Sequence, residues 1–306
     1  ALYGARGANG VVMITTKQGK EGKAQVTWRS TVGWASRAIQ PYDMVDQKEF
    51  VQLTYEALRN GYVFNSGYSW EQAQQMARAG LSANLGGELY NPFKNYTWDN
   101  LINPETGMVQ ADAVSAWDER WMDAVQRDNA FRQEHQLSVN GGSEKTKYMF
   151  SLGYLNEDGI LINTGFQRYN ARVNLGAELA KNLKLQVRLS GMTSDRHEPS
   201  TPGSLDIGGF KGIISNAVRF PGLTPTYLQN GEVGLGPKLQ GTPVAWVDCA
   251  SSYREDYDKF KNNIELSYQP IDGLTLKILG GYNYTLSHVR HYRCCLLYTS
   301  DAADDK

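Results

Sequence analysis

Cysteine is scarce in this chain, and long apolar runs are missing. The three cysteines, Cys249, Cys294 and Cys295, form no Cys-x-x-Cys pair, so the sequence predicts neither a disulfide framework nor a zinc site. No apolar run approaches the ~18 residues that indicate a membrane-spanning helix. These absences argue against a helical membrane protein.

The chain has neither an excess of positive or negative charge nor a recognisable catalytic motif. The net charge is -1, and lysine and arginine are scattered rather than clustered. A nucleic-acid partner is therefore not expected, because such proteins carry a basic patch. The sequence contains no nucleophile elbow and no His-Glu-x-x-His, and His135 and His197 are isolated. We expect a protein that is not an enzyme.

One group of metal-binding side chain types lies near the end of the chain. It contains His288, His291, Cys294 and Cys295. All are ligands that zinc accepts, but the motif lacks a second ligand pair. Residues 293–306 also break the preceding alternation, and we interpret them as a non-native, adapter-derived tail. No metal and no cofactor are expected.

Aromatic residues and glycine are plentiful, with 18 tyrosines and 31 glycines, and polar and apolar residues alternate over long stretches. In residues 24–34, most residues at even-numbered positions are apolar and most residues at odd-numbered positions are polar. A period of two indicates a strand with one apolar and one polar face. The other patterned stretches are residues 131–139, 147–155, 168–179, 183–190, 259–268 and 274–284. The sequence therefore predicts seven strands.

The length of these strands favours a membrane barrel. Soluble strands average about 5 to 6 residues, whereas tilted membrane-spanning strands need about 9 to 11. Aromatic residues stand at both ends of the apolar face, as Phe260 and Tyr268 do, like the girdles of outer-membrane barrels. The predicted lipid side carries Val26, Val173, Val187 and Leu276, and the predicted lumenal side carries Arg29, Arg172, Arg188 and Lys277.

Short turns alternate with longer loops along the chain. The turns are residues 140–146, 180–182 and 270–273, and the loops are residues 37–129, 156–165 and 195–256. Outer-membrane barrels have short turns on one side and long extracellular loops on the other. Asp46 and Glu49 predict a helix that ends at Gly61, and residues 69–79 predict a second helix that ends at Gly80.

Glycines recur before the first strand. The segment contains Tyr3, Gly4, Arg6, Gly7, Asn9 and Gly10, followed by the β-branched run of residues 11–16. A dinucleotide site would need a strand before the glycines and a helix after them, so turns ahead of a strand are the better interpretation. This segment resembles the end of the plug domain of TonB-dependent transporters, in particular the SusC-like family of Bacteroidetes. Residues 142–148, 166–169 and 270–275 resemble that family too.

The resemblance covers roughly residues 1–290 and implies a domain organisation. Residues 1–20 would be the C-terminal end of a plug, with the six residues above as a structural motif. Residues 21–292 would be the N-terminal part of a barrel, so the fold class is all-β, a partial antiparallel transmembrane β-barrel with about seven of twenty-two strands. Both ends are then expected to be cut, with the TonB-contacting segment upstream.

The resemblance also implies a function. It implies TonB-dependent active import of oligosaccharides or peptides across the cell outer membrane, with a SusD-like lipoprotein and the TonB complex as partners and outer-membrane lipid around the barrel. Two alternatives remain open. A passive porin would lack the plug, and a soluble glycan-binding β-sandwich would lack the apolar outer band.

Five tryptophans lie outside the predicted strands, in the long loops. They are Trp70, Trp98, Trp117, Trp121 and Trp246. Aromatic rings offer apolar faces, and tryptophan commonly anchors interfaces. Trp98, Trp117, Trp121 and Trp246 are therefore the candidate ligand or partner contacts. The alternative is that these rings form the small cores of folded loops.

Overall fold

A computed structural model of the chain describes residues 10, 17–39, 42–117, 119–199, 213–220, 222–228, 234, 242–244 and 252–292. Seven strands form one antiparallel sheet whose order follows the chain. The strands are β1 (Gly22–Ala35), β2 (Ala130–Gly142), β3 (Thr146–Asp158), β4 (Gly165–Ala180), β5 (Leu183–Pro199), β6 (Ser252–Ile271) and β7 (Leu274–Tyr292). The predicted all-β class, the seven strands and their sequential pairing are confirmed.

The three tight turns lie at the same end of the sheet, as predicted. They join β2 to β3, β4 to β5 and β6 to β7, and each takes only two or three residues between the strands that it joins. Gly273 in the last turn has a φ of +86°, a conformation that glycine adopts without a steric penalty. The longer connections therefore lie at the opposite end.

The strand register divides the side chains into two faces. Residues paired across an antiparallel ladder project to the same side of the sheet. Val26 pairs with Val139, and this row continues through Phe150 and Val173 to Leu189. Val187 and Leu276 share this apolar face, whereas Arg29, Arg172, Arg188 and Lys277 lie on the polar face. The predicted sorting of these eight residues onto two faces is confirmed.

The apolar band on this face has the height of a bilayer interior. On β7 it runs over ten residue steps, from Leu276 to Leu286. At about 3.3 Å per residue and a tilt near 40°, this run rises roughly 25 Å, the height of the apolar band of outer-membrane barrels. Beyond the band the same face is charged. There Arg254 pairs with Asp195 at 2.6 Å, and Arg290 pairs with Asp256.

The first long loop contains two long helices, α1 (Gln47–Phe64) and α2 (Trp70–Asn84), and a single-turn helix near its end. Asp46 caps α1 by accepting a hydrogen bond from the Glu49 amide at 2.8 Å, and Ser69 forms a capping box with Gln72. The prediction of two helices is confirmed, but both predicted ends are wrong. α1 continues past Gly61 and α2 past Gly80, because a helical glycine costs only about 1 kcal/mol.

Helix packing explains why α2 continues. A Cβ on Gly80 would lie 3.7 Å from the Tyr62 hydroxyl and 3.9 Å from Leu58, which are ordinary contact distances, so position 80 faces α1, and Leu81 after it is buried in the core. Their shared core is formed by Val51, Tyr55, Ala77, Leu81, Leu85, Phe93, Trp98, Leu101, Ile102, Ala113 and Leu223. Within the described residues, no helix combines the length and apolarity needed to cross a membrane.

Candidate functional site

The two longest loops pack against each other and form one layer. The Trp117 indole donates to the Leu223 carbonyl at 2.9 Å, and the Thr226 amide donates to Glu119 Oε1 at 3.0 Å. Leu223 is buried in the helical core of the first loop. Each contact joins residues more than 100 positions apart, so the layer is held by tertiary contacts between the loops.

A second apolar cluster joins the same two loops. The short helix α3 (Trp121–Ala124) of the first loop meets α4 (Ile213–Arg219) of the other. The ring of Trp121 lies edge-on to Phe220, with 5.7 Å between the ring centroids. Residues 119–123 lie beside the loop end of β1, because Asp123 pairs with Arg37, two residues after that strand.

A cleft of about 770 Å³ lies between the loops, next to these clusters. Its walls come from three segments: residues 42–50, residues 119–123 and residues 217–223. Its size is within the roughly 300 to 1,000 Å³ of ligand pockets. Tyr42 is 93% exposed on one wall, whereas Trp121 is buried in the other. We call it the inter-loop cleft.

Gln47 is the most unusual polar residue of the inter-loop cleft. Its amide nitrogen donates to the Trp117 carbonyl and to the Gly222 carbonyl, and these two acceptors fix the orientation of the amide. Its Oε1 is buried and accepts no hydrogen bond from the described residues. A buried acceptor without a partner costs about 1 to 3 kcal/mol. A ligand with an N–H or O–H group would supply the missing donor.

Charged side chains of both signs surround Gln47. Arg37 pairs with Asp123 at 3.4 Å and donates to Gln126 at 3.1 Å, so part of its hydrogen-bonding capacity is used within the wall. Asp43 and Arg120 also line the cleft. Aromatic walls with a few polar groups suit a ligand that is recognised by stacking and hydrogen bonds together.

The predicted tryptophan contacts occupy different surroundings. Trp98 is fully buried at the centre of the first-loop core, and its indole donates to the Gly87 carbonyl at 2.9 Å. Trp121 lines the inter-loop cleft, and half-buried Trp117 lies at the junction of the loops. Trp246 lies outside the described residues. Trp98 is therefore part of the core of a folded loop, whereas ligand contact by Trp117 or Trp121 stays a prediction.

The chain before β1 lies on the polar face of the sheet, near the tight turns. Asn174 is buried there and donates to the Lys17 carbonyl at 2.7 Å. A Cβ on Gly19 would lie 2.3 Å from the Tyr148 backbone nitrogen, so the two main chains touch. Gly10 has a φ of +98°, as expected for a turn glycine. The other predicted motif residues, Tyr3, Gly4, Arg6, Gly7 and Asn9, lie outside the described residues.

Sequence reasoning did not find Gln47, Asn174 or Gly19. Gln47 is the first residue of a helix and Asn174 is one of many polar residues of a strand, so neither position carries a local signal. Among the residues that the structure covers, no three histidine, cysteine, aspartate or glutamate side chains are grouped as a metal site would require.

No protein-family model matches the chain, but several curated proteins do. TonB-dependent receptor SusC of Bacteroides thetaiotaomicron is 24% identical over 286 residues, which cover 88% of this chain and 23% of that protein. TonB-dependent receptor P3 of Formosa agariphila is 25% identical, over 92% of this chain and 23% of its own length. The chain thus spans about a quarter of the length of these relatives. The predicted resemblance to SusC-like receptors is confirmed.

Solved structures show the same fold. The RagAB peptide importer in its closed-closed state matches 95% of this chain and 31% of its own chain, with a TM-score of 0.65 and 21% identity. A structure of the RagAB peptide transporter matches with the same TM-score and 23% identity. The seven-stranded sheet therefore has the fold of part of a transporter barrel.

Proposed function

We propose that this chain forms part of the wall and of the external loops of an outer-membrane transporter that imports its substrate with energy from TonB. The observation that carries the proposal is the two-faced sheet, with an apolar band roughly 25 Å high on one side and a charged surface on the other. Lipid would cover the apolar face, and the polar face would line the lumen.

The segment before β1 favours a plugged transporter over a passive porin. Residues 17–20 run along the polar face, where Asn174 and Gly19 hold them against the sheet. A plug occupies this side of a barrel wall. Residues 1–20 are accordingly proposed as the end of a plug and residues 21–292 as barrel, with residues 293–306 as a non-native tail.

The inter-loop cleft is the proposed substrate contact on the outside. Its aromatic walls and the free acceptor of Gln47 suit oligosaccharides or peptides, since both carry hydrogen-bond donors on a partly apolar frame. A peptide substrate also agrees with the similar solved structure of RagAB, which is a peptide importer. A SusD-like lipoprotein is the proposed partner above the loops.

Uptake with and without TonB tests this function. The polypeptide that carries these residues is produced in a host from which its own related transporters have been deleted. Uptake of labelled oligosaccharides and peptides is then measured in strains with and without TonB. We expect uptake only with TonB. Equal uptake in both strains would favour the passive porin, and absence of the polypeptide from the outer-membrane fraction would favour a soluble sandwich.

Gln47→Leu tests the cleft itself. The change removes the Oε1 acceptor and also the amide N–H bonds to the Trp117 and Gly222 carbonyls, and loss of the acceptor alone should raise the substrate concentration for half-maximal uptake roughly two- to tenfold. Gln75→Leu, on the exposed side of α2, is the matched control. Proteolysis of the loops is measured alongside, because the lost N–H bonds could loosen the loops: a shift in uptake without faster proteolysis supports substrate contact, and a shift that follows proteolysis contradicts it. Equal uptake by both variants would remove Gln47 from the site.

A further inference from the structure

The polar face of the sheet carries a patch of positive charge. Three neighbouring rows of the register cross β4 to β7 and contain four cations: Arg168 and Arg172 on β4, and Lys259 and Lys261 on β6. The rest of these rows is uncharged, and most of its side chains carry a hydroxyl or amide group. We call the four cations the cationic patch.

Acidic residues of the same face lie outside the patch, and those nearer the turns are already paired. Glu265 lies 3.8 Å from the Arg188 guanidinium and 3.6 Å from the Lys277 ammonium. Glu178 pairs with Lys184 at 3.2 Å. By contrast, no member of the cationic patch forms an ion pair with a side chain that the structure describes. Like charges without a counter-charge repel each other and attract anions, so the patch favours a ligand of negative charge.

The spacing of the patch suits a ligand with carboxylate groups. Arg172 and Lys261 are both exposed and lie in one row, with Ser190 of β5 between them. Because neighbouring strands are about 4.8 Å apart, the backbones of these two cations are roughly 10 Å apart. Their long side chains can approach one carboxylate from two sides, and the Ser190 hydroxyl is a further donor beneath it.

The patch lies between the segment before β1 and the long loops. Asn174, which donates to the Lys17 carbonyl, is two residues from Arg172 and six residues from Arg168, on the turn side of both. At about 3.3 Å per residue and a tilt near 40°, the patch extends from roughly 5 to 15 Å beyond that contact, toward the loops. A substrate that moves inward from the inter-loop cleft would pass this part of the wall.

We propose that the imported substrate is anionic and that the cationic patch binds its carboxylates along the lumenal wall. The proposal rests on the proposed function, because the polar face lines a lumen only in a barrel. Lysine and arginine side chains that line pores select anions, and lumenal side chains of outer-membrane barrels tune selectivity. An acidic oligosaccharide and an acidic peptide share this chemistry.

Uptake of matched probes tests the proposal. Cells that contain TonB and the polypeptide that carries these residues receive a labelled glutamate-containing peptide or the same peptide with glutamine in place of glutamate. A uronate oligosaccharide and a neutral one of equal length form the second pair. We expect the anionic member of at least one pair to enter faster, and this preference to fall as salt is raised, because salt screens exposed charges. The ratio of anionic to neutral uptake is independent of how much transporter reaches the membrane.

Variants assign this preference to the patch. Arg172→Gln and Lys261→Gln should each lower the ratio roughly two- to fivefold, the range of one exposed ion pair, whereas Lys261→Arg keeps the charge and should keep the ratio. Lys184→Gln is the matched control, since it removes a cation of the same face that Glu178 already pairs, and it should leave the ratio unchanged.

Three results would contradict the proposal. Equal entry of both members of each pair would overturn it, and so would an unchanged ratio in the double variant Arg172→Gln with Lys261→Gln. Leakage without TonB in that variant, at an unchanged ratio, would show that the patch holds the plug instead of the substrate. Failure of every probe to enter the wild-type cells would count against the proposed function itself.

Discussion

Replacing Trp98 separates its role in the loop core from a role as a ligand contact. Its ring is fully buried and its indole N–H satisfies the Gly87 carbonyl. Trp98→Ala should cost about 3 to 5 kcal/mol through the cavity, and the carbonyl left without a donor adds about 1 to 3 kcal/mol. Even 3 kcal/mol corresponds to a more than roughly hundredfold rise in the population of the opened loop layer.

Limited proteolysis of the polypeptide in detergent measures this population, because cleavage of a transiently opened segment follows its equilibrium when opening is fast. Trp98→Ala should speed cleavage within residues 47–84 by that factor. Trp70→Ala is the control, since that ring is 52% exposed and contributes mainly its contact with the Arg59 guanidinium at 4.3 Å, worth about 0.5 to 1 kcal/mol. Unchanged cleavage in Trp98→Ala, together with impaired uptake, would refute the core assignment.

Three further changes test other parts of the account. Gly19→Ala places a Cβ against the Tyr148 backbone, so the segment before β1 should leave the sheet and hydrogen exchange at residues 17–20 should accelerate; unchanged exchange would contradict the contact. Val173→Arg should destabilise the barrel in lipid vesicles by about 2 to 4 kcal/mol in urea titrations, if it faces the bilayer interior, whereas removal of its polar-face neighbour by Arg172→Ala should cost little. Trp117→Phe loses the hydrogen bond to the Leu223 carbonyl, so cross-linking between the two long loops should fall. Equal cross-linking would show that this hydrogen bond does not hold the two loops together.

The strands and their faces were predictable because a period of two is a local property. The run from Ala24 to Trp34 shows both faces within eleven residues, and the short turns set the pairing of its successors. Helix starts were also local, as the caps at Asp46 and Ser69 show. Helix ends were not, because α2 continues past Gly80 where Leu81 is buried in the core that it shares with α1.

The candidate site depends on contacts that no local pattern reveals. The inter-loop cleft exists because Trp117 and Glu119 bond residues of a loop more than 100 positions away. The contact of Asn174 with Lys17 spans a similar distance in the chain. Tryptophans in loops are compatible with both cores and ligand contacts, and only burial distinguishes Trp98 from Trp70.

The central claim is that this sheet separates lipid from an aqueous lumen, and β6 offers the most direct measurement. Single cysteines are placed at successive positions of residues 261–266, in a background whose other cysteines are replaced by serine, and isolated outer membranes are treated with a charged maleimide. Cysteines replacing Lys261, Asn263 and Glu265 on the polar face should label, whereas those replacing Ile264 and Leu266 on the apolar face should not. Equal labelling of both sets, or the reverse pattern, would contradict the account.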